Sequence, residues 1–427
     1  MNPITIIKAK QNQSSLSYKD IDFIVSSYSN NRIDDELMTD FLIAVKKNGM
    51  NMEETISLTK AMIRSGEKID FSHISSYVAD KHSTGGVGDK VSLVLGPLMA
   101  SVGVTIPMLA GRSLGHTGGT IDKLETIPGF KTNLSLQQFK QYSEKTGICI
   151  MSQTDSICPA DKKIYALRDV TDTIDSIPLI CGSIMSKKIA EGISGLVLDI
   201  KIGNGAFMSS LRDGKRLASA LIDVGKALGV STEVIFSNMD QPLGKTAGMW
   251  CEVNESINAL NGLGDEDLMD VVYKLGSKIM LQAGVVDSSD QAIQIQKENI
   301  RSGSALKKFE EMVKNQSGQL DHGHNINNPS FSHNIKSKCD GYLKSYDTTA
   351  IGWALVELGC GRKKSRDKLD NSAGVEFFFK IGEKVKKGDL VFKCFGSNES
   401  KLKKAVDLIE KTFHLSDDKV KRPKLII

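Results

Sequence analysis

Asp80-Lys81-His82-Ser83-Thr84-Gly85-Gly86-Val87-Gly88-Asp89 and Gly111-Arg112-Ser113-Leu114-Gly115-His116-Thr117-Gly118-Gly119-Thr120-Ile121-Asp122-Lys123-Leu124-Glu125 are two glycine-rich loops of one chemical type. Each mixes glycines, hydroxyls and a cation, and each runs into a segment with helical periodicity. Glycine lets backbone N–H groups close on an anion, and a helix N-terminus adds a favourable dipole. A lysine point charge and hydroxyl donors complete such a site. One loop of this kind is usually a turn. Two together point to a site for phosphate or a phosphorylated sugar.

Working outward, short apolar runs at Val104–Leu109, Gly147–Met151, Leu196–Ile200 and Val234–Phe236 alternate with helical stretches. That texture predicts an α/β sheet with crossover helices. Before the loops, residues 17–66 read as helices. Ser17 followed by Asp20 predicts a capping box, with Ile21, Ile24, Val25 and Tyr28 as the apolar stripe. Leu37, Phe41, Ala44 and Val45 repeat the stripe before Gly49, and Ile56, Thr59, Met62 and Ile63 repeat it before Gly66. Ile177–Gly192 reads as one helix with Ser183 and Lys187 on one face. The polar, Asn-rich stretch Gln316–Asn334 reads as a connection between domains. Beyond Cys339, short strands and turns lead to Val385-Lys386-Lys387-Gly388-Asp389-Leu390, a hairpin pattern like that of a lipoyl-like β sandwich.

A chain of 427 residues is too long for one ordinary core, so two or three domains are expected. With 40% hydrophobic and 25% charged residues, the composition is that of a soluble globular protein. The net charge of +4 is spread along the chain and implies no nucleic-acid partner. The seven cysteines are scattered, show no CxxC and read as reduced thiols of a cytoplasmic protein. No apolar run reaches membrane-spanning length, and the N-terminus lacks a signal-peptide pattern, so no membrane partner is expected. Asp321-His322-Gly323-His324 lacks the further ligands of a compact metal site, and a polar linker accounts for it.

The run from Asp80 to Phe130 resembles the signature region of the thymidine and pyrimidine-nucleoside phosphorylases, whose fingerprint ends in Thr-x-Asp-Lys-Leu-Glu. The likeness continues through Gln153-Thr154, Pro159–Lys163, Tyr165–Asp169, Ser176–Leu179, Ser183–Lys188 and Leu198–Lys201. Lys380–Asp389 resembles the family's C-terminal domain. The resemblance implies an α/β fold with a small discontinuous helical domain (1–67 and 164–193) and a large α/β domain with a mixed sheet (68–163 and 194–335). A C-terminal α+β, lipoyl-like extension (336–427) completes it. In that family the base binds on the helical side and phosphate on the α/β side. Closure at connections near residues 67–78, 154–166 and 192–196 brings them together. A homodimer through the helical domain is implied as well.

The same resemblance gives candidate residues, each with a plainer reading. Lys81, Ser83, Ser92 and Thr120 match phosphate-binding positions, although a turn lysine and capping hydroxyls would look alike. An attacking phosphate must be held in line with the departing base, and several donors share its charge. His82 matches the residue that reaches pyrimidine O2, where a proton stabilises the leaving anion. Arg168, Ser183 and Lys187 match the base-recognition residues, Arg168 and Lys187 also favouring charge on the leaving ring. Surface salt bridging is their plain alternative. His116, Asp161 and Asp199 read as scaffolding. The implied reaction takes a nucleoside and phosphate as its small-molecule partners and needs no cofactor and no metal.

Four departures stand out. Ala110 replaces a phosphate-binding serine, and one lost hydrogen bond to a charged group costs roughly 1.5–3 kcal/mol. Ser113 replaces a usual glycine, and Met249-Trp250 stand where Asn-Ala is common. Lys90 stands where some members have a threonine lining a monovalent-cation site with Leu243, Thr246 and Glu255, so its ammonium is expected to take that cation's place. Three readings follow: a pyrimidine-nucleoside phosphorylase, an anthranilate-type phosphoribosyltransferase, or a catalytically weakened nucleoside-binding homologue. Pyrophosphate chemistry would want an acidic magnesium site, and the sequence offers no clear one.

Overall fold

The computed structural model describes residues 1–113, 115–364 and 367–427. Four helices open the chain: α1 (Pro3–Gln11), α2 (Tyr18–Ser29), α3 (Asp35–Asn48) and α4 (Met52–Arg64). Next come β1 (Ala79–Ser83), α5 (Val91–Ser101), β2 (Ile106–Ala110), α6 (Thr120–Leu124), α7 (Leu136–Thr146) and β3 (Ile148–Ser152). Helices α8 (Pro159–Val170) and α9 (Ile177–Ala190) lead to β4 (Gly195–Ile202), α10 (Leu211–Ala227), β5 (Ser231–Asn238) and β6 (Thr246–Gly248). A helical run follows in α11 (Trp250–Asn258), α12 (Glu266–Gln282), α13 (Ser289–Arg301), α14 (Ser304–Asn315) and α15 (Leu320–Ile326). The chain ends in β7 (Phe331–Lys336), β8 (Gly341–Tyr346), α16 (Thr348–Leu358), β9 (Gly374–Phe377), β10 (Lys384–Val385), β11 (Leu390–Gly396), α17 (Glu399–Ile409) and β12 (Phe413–Ser416).

The chain divides into two compact units. The first comprises Met1–Asp80, Gln153–Leu196 and Lys215–Glu233. Its core joins Ile21, Ile24, Val25 and Tyr28 of α2 with Met38, Phe41 and Val45 of α3, Leu58 and Met62 of α4, Ile164 of α8 and Leu179 of α9. Capping boxes at Ser17/Asp20 and Asn51/Glu54 start α2 and α4, and Gly49 ends α3 at φ 70°. The buried face of α4 is rotated from the expected stripe. Ile56 and Ile63 are half-buried, whereas Thr55, Leu58, Thr59 and Met62 are buried. The Thr55 and Thr59 hydroxyls donate to the carbonyls of Asn51 and Thr55 at 2.9 and 2.8 Å. A satisfied hydroxyl leaves a methyl free to pack, as at Thr59, which the stripe includes, and at Thr55, which it leaves out.

The second unit comprises Lys81–Ser152, Val197–Gly214 and Val234–Ile427. One of its sheets has the order β1-β4-β5, and every residue of β4 is buried. β2 and β3 pair in parallel from Ile106↔Ile148 to Ala110↔Ser152. The C-terminal part holds an antiparallel sheet in the order β6-β9-β11-β7, a second in the order β10-β8-β12, and the helices α16 and α17. Helix α5, buried from Val91 to Ala100, runs through this unit's interior.

Two expectations need correction. Asp80–Ser83, read as the opening of a loop, lies in β1. Gln316–Asn334, read as a connection, contains α15 and the start of β7. Gln316 itself is buried, because its amide pairs with β3 as a strand would. It donates to the Ile150 carbonyl at 2.8 Å and accepts the Ile150 N–H at 3.2 Å.

Glu54 anchors the first unit, accepting from Lys10 Nζ at 2.8 and 3.0 Å and from the N–H groups of Leu16 and Asn51 at 2.9 and 2.8 Å. Both charged side chains are buried. Glu54→Ala would leave the Lys10 ammonium buried and unpaired, so urea unfolding should show a loss of about 3–5 kcal/mol. A loss below about 1 kcal/mol, the size of a surface pair, would contradict this account.

Candidate active site

In the second unit, the end of β1 carries Lys81, His82 and Ser83 into the first glycine loop, and α5 places Ser92 behind it. Lys81 is buried; its Nζ donates to Ser92 Oγ at 3.4 Å and lies 3.8 Å from Asp89 Oδ1. Ser83 Oγ donates to Asp89 Oδ2 at 2.5 Å and accepts the Gly85 N–H at 3.2 Å. Lys201 Nζ lies 4.0 Å from Asp89 Oδ2 and 2.6 Å from Asp199 Oδ2. Lys123 Nζ donates to the Asp89 carbonyl at 3.1 Å and pairs with Glu252 at 2.5 Å. Burial alone would raise the Asp89 pKa. Lys201, Lys81 and the Ser83 hydroxyl outweigh it and hold the carboxyl well below the usual carboxylate range.

Lys81, Ser83 and Ser92 thus come together around Asp89. Thr120 stands on the second loop, as the first residue of α6. His82 is half-buried on β1. The second loop closes on itself: Ser113 N–H donates to Asp122 Oδ2 at 2.7 Å, and Arg112 grips Glu125 with two bonds of 2.6 and 2.8 Å. A Cβ at Gly119 would sit 2.2 Å from the Ser113 nitrogen, so only glycine allows this closure. His116 Nε2 lies 3.0 Å from the Gly205 carbonyl, on the loop after β4.

In the first unit, α9 presents Ser183 and Lys187 together. Lys187 Nζ donates to Ser183 Oγ at 2.9 Å and to Asp161 Oδ2 at 2.5 Å. Arg168, at the end of α8, does not join them directly. It is 1% exposed, and its guanidinium donates to the carbonyls of Thr173, Ile174 and Leu179 at 3.3, 2.7 and 3.0 Å. Burial lowers its pKa, and Asp161 and Tyr165 partly offset that.

Lys90 points inward. Its ammonium is 2.9 Å from the Leu243 carbonyl, 3.0 Å from the Thr246 carbonyl and 3.1 Å from Glu255 Oε2. Burial opposes its charge, but Glu255 and Glu252 outweigh burial and raise the pKa. Nζ occupies the point where these oxygens converge.

Asp89, Lys123, Lys201 and Glu252 are the residues that motif reading passed over. The signal for Lys201 was present: Asp199 and Lys201 alternate on one side of β4, and two opposite charges in a fully buried strand must serve something.

Arg168 closes the connection between α8 and α9 with a planar fork that lysine cannot imitate. Arg168→Ala and Arg168→Lys should both lose about 3 kcal/mol of unfolding free energy. Wild-type stability of the lysine variant in denaturant titration would refute the carbonyl clamp.

Residues 75–306 match the model of the glycosyl transferase family a/b domain, residues 4–66 its helical bundle domain, and residues 342–416 the pyrimidine nucleoside phosphorylase C-terminal domain. A pyrimidine-nucleoside phosphorylase of Staphylococcus haemolyticus is 42% identical over 94% of this chain and 93% of its own. Another, from Geobacillus stearothermophilus, is 40% identical over 100% of this chain and 99% of its own. Among solved structures, anthranilate phosphoribosyltransferase from Thermus thermophilus shares the fold, with a TM-score of 0.60 at 15% identity over 73% of this chain and 99% of that one. With relatives this similar along nearly the whole chain, and with both its N-terminal and C-terminal domain models matched, the chain belongs to the pyrimidine-nucleoside phosphorylase family.

Proposed function

We propose that this enzyme cleaves a pyrimidine nucleoside or deoxynucleoside, thymidine included, with phosphate, releasing the free base and a pentose 1-phosphate with inversion. The observation that carries this reading is the buried Lys81 ammonium beside the Ser92 hydroxyl of α5, with Ser83 of the first glycine loop bonded to the same Asp89 that Lys81 approaches, a donor set suited to an oxyanion. Lys81, Ser83, Ser92 and Thr120 hold the phosphate so that one oxygen attacks the anomeric carbon opposite the base. The C–O bond forms as the C–N bond breaks, and the electron pair leaves with the pyrimidine. His82 meets the charge at O2. Lys187, paired with Asp161 and aligned by Ser183, and Arg168, through its remaining donors and its field, favour the anion on the ring.

The finer assignments are proposed on smaller grounds. Exposed Ile4 and Ile43 on α1 and α3 support a homodimer through the helical unit. Free cysteines, five of them buried, suit a reducing cytoplasm. No helix among the described residues is long and apolar enough to cross a membrane.

Incubation with thymidine, uridine and deoxyuridine, with and without phosphate, tests the reaction. Strict phosphate dependence is expected, with Lys187→Ala lowering kcat about 100-fold or more through lost stabilisation of the leaving anion. Dependence on diphosphate, or binding without turnover, would replace this reading with a phosphoribosyltransferase or a nucleoside-binding protein.

Lys90 gives a second test. We propose that its ammonium does the work of a bound monovalent cation, tying the first glycine loop to Leu243–Glu255. Activity should be equal in sodium, potassium and a bulky organic cation at one ionic strength. Potassium-specific activation would defeat it.

A further inference from the structure

The second glycine loop is held from outside by one stretch of the C-terminal part, partly through Asn204 and Gly205. Helix α16 opens on Asn204: the Thr348 N–H donates to Asn204 Oδ1 at 2.7 Å, and the Thr349 hydroxyl donates to the Asn204 carbonyl. The next residue approaches so closely that a Cβ on Gly205 would lie 2.4 Å from Thr348 Cγ2. Gly205 is the residue whose carbonyl meets His116 of the second glycine loop. One turn along α16, a Cβ on Gly352 would lie 2.4 Å from the His116 carbonyl oxygen, and the Trp353 ring stands 6.3 Å from the His116 imidazole. Past the helix, Arg362 Nη1 donates to Asp122 Oδ1 at 2.6 Å.

Asp122 is the internal strut of the second loop, since its other oxygen takes the Ser113 N–H. It also receives Arg112 at 3.0 Å, but Arg112 belongs to the same loop and cannot fix that loop against the rest of the protein. Arg362 comes from 240 residues away and can. Asp122 is 1% exposed, so this charge-assisted bond is shielded from solvent. Donors for a transferring phosphate act only when held in register with the reacting carbon, and bonds inside a loop do not fix it against the rest of the protein.

We propose that the stretch from Asp347 to Arg362 is a clamp that fixes the second glycine loop for phosphate, with Arg362 as a positioning residue acting through Asp122. The proposal rests on the phosphorolytic reading for the identity of the anion. Calorimetric titration with inorganic phosphate, the KM values for phosphate and thymidine, and thermal midpoints of Arg362→Ala and Arg362→Lys test it. Arg362→Ala should weaken phosphate about tenfold, the size of one hydrogen bond to a charged group, with the thymidine KM and the midpoint near wild type. Arg362→Lys should recover part of that loss, since it restores the charge without the fork. Phosphate affinity unchanged in Arg362→Ala would overturn the clamp. So would equal losses for both substrates together with a lowered midpoint, the mark of a merely structural role. Should Arg362→Ala not fold, Gly352→Ala, which displaces the His116 backbone, must raise the phosphate KM, and an unchanged value overturns the proposal. Wild-type protein that binds phosphate but cleaves no nucleoside would sink the phosphorolytic reading while calorimetry still decides the clamp. Wild type that binds no phosphate overturns both.

Discussion

Every buried lysine among the described residues stands beside a carboxylate, and the architecture depends on that pairing. Lys10 meets Glu54, Lys90 meets Glu255, Lys123 meets Glu252, Lys201 meets Asp199, Lys380 meets Asp267, and Lys188 lies between Asp80 and Glu191. Lys81 has Asp89 3.8 Å away. An ammonium taken out of water without such a partner costs several kcal/mol, so each pair ties together the segments that carry it. The stretch from Pro242 to Thr246 shows the effect. Lys380 takes the carbonyls of Pro242 and Gly244, and Lys90 takes those of Leu243 and Thr246. Gly244 has no room for a side chain: a Cβ there would lie 2.2 Å from Glu255 Oε1. Two internal ammoniums thus hold one loop from alternate sides.

The same rule orders the first glycine loop. Asp89 carries the negative charge that keeps Lys81 and Ser83 in place, and on the proposed phosphorolytic reading this lowers the reorganisation needed to receive an oxyanion. In the helical unit, neighbouring lysines on α9 take different tasks. Lys187 is partly exposed and bonded to Asp161 and Ser183, whereas Lys188 is buried between two carboxyls. One ammonium cannot neutralise both. Burial, with Asp80 nearby, pushes the Glu191 carboxyl well above the usual carboxylate range despite Lys188.

Much of the local structure is legible in the sequence. The Ser17/Asp20 cap, the α2 stripe, the four apolar runs that became β2 to β5, and the helix that places Ser183 beside Lys187 all follow from period and capping. Two of the departures share one cause. Thr55 and Gln316 are polar by name and buried in fact, because each finds a backbone partner in the fold.

The sequence by itself determined the class of site: glycine loops with cations and hydroxyls, and a resemblance long enough to name a family, because backbone freedom and side-chain charge are local properties. Where each charge would be spent was decided by the tertiary structure alone. Arg168 looks the same in sequence whether it faces a base or three carbonyls, and Lys90 whether it faces solvent or Glu255. Nothing within the second glycine loop announces that Arg362 will brace it. The partner of a buried charge is chosen by distance in space and by exclusion of water, and neither exists until remote segments have packed.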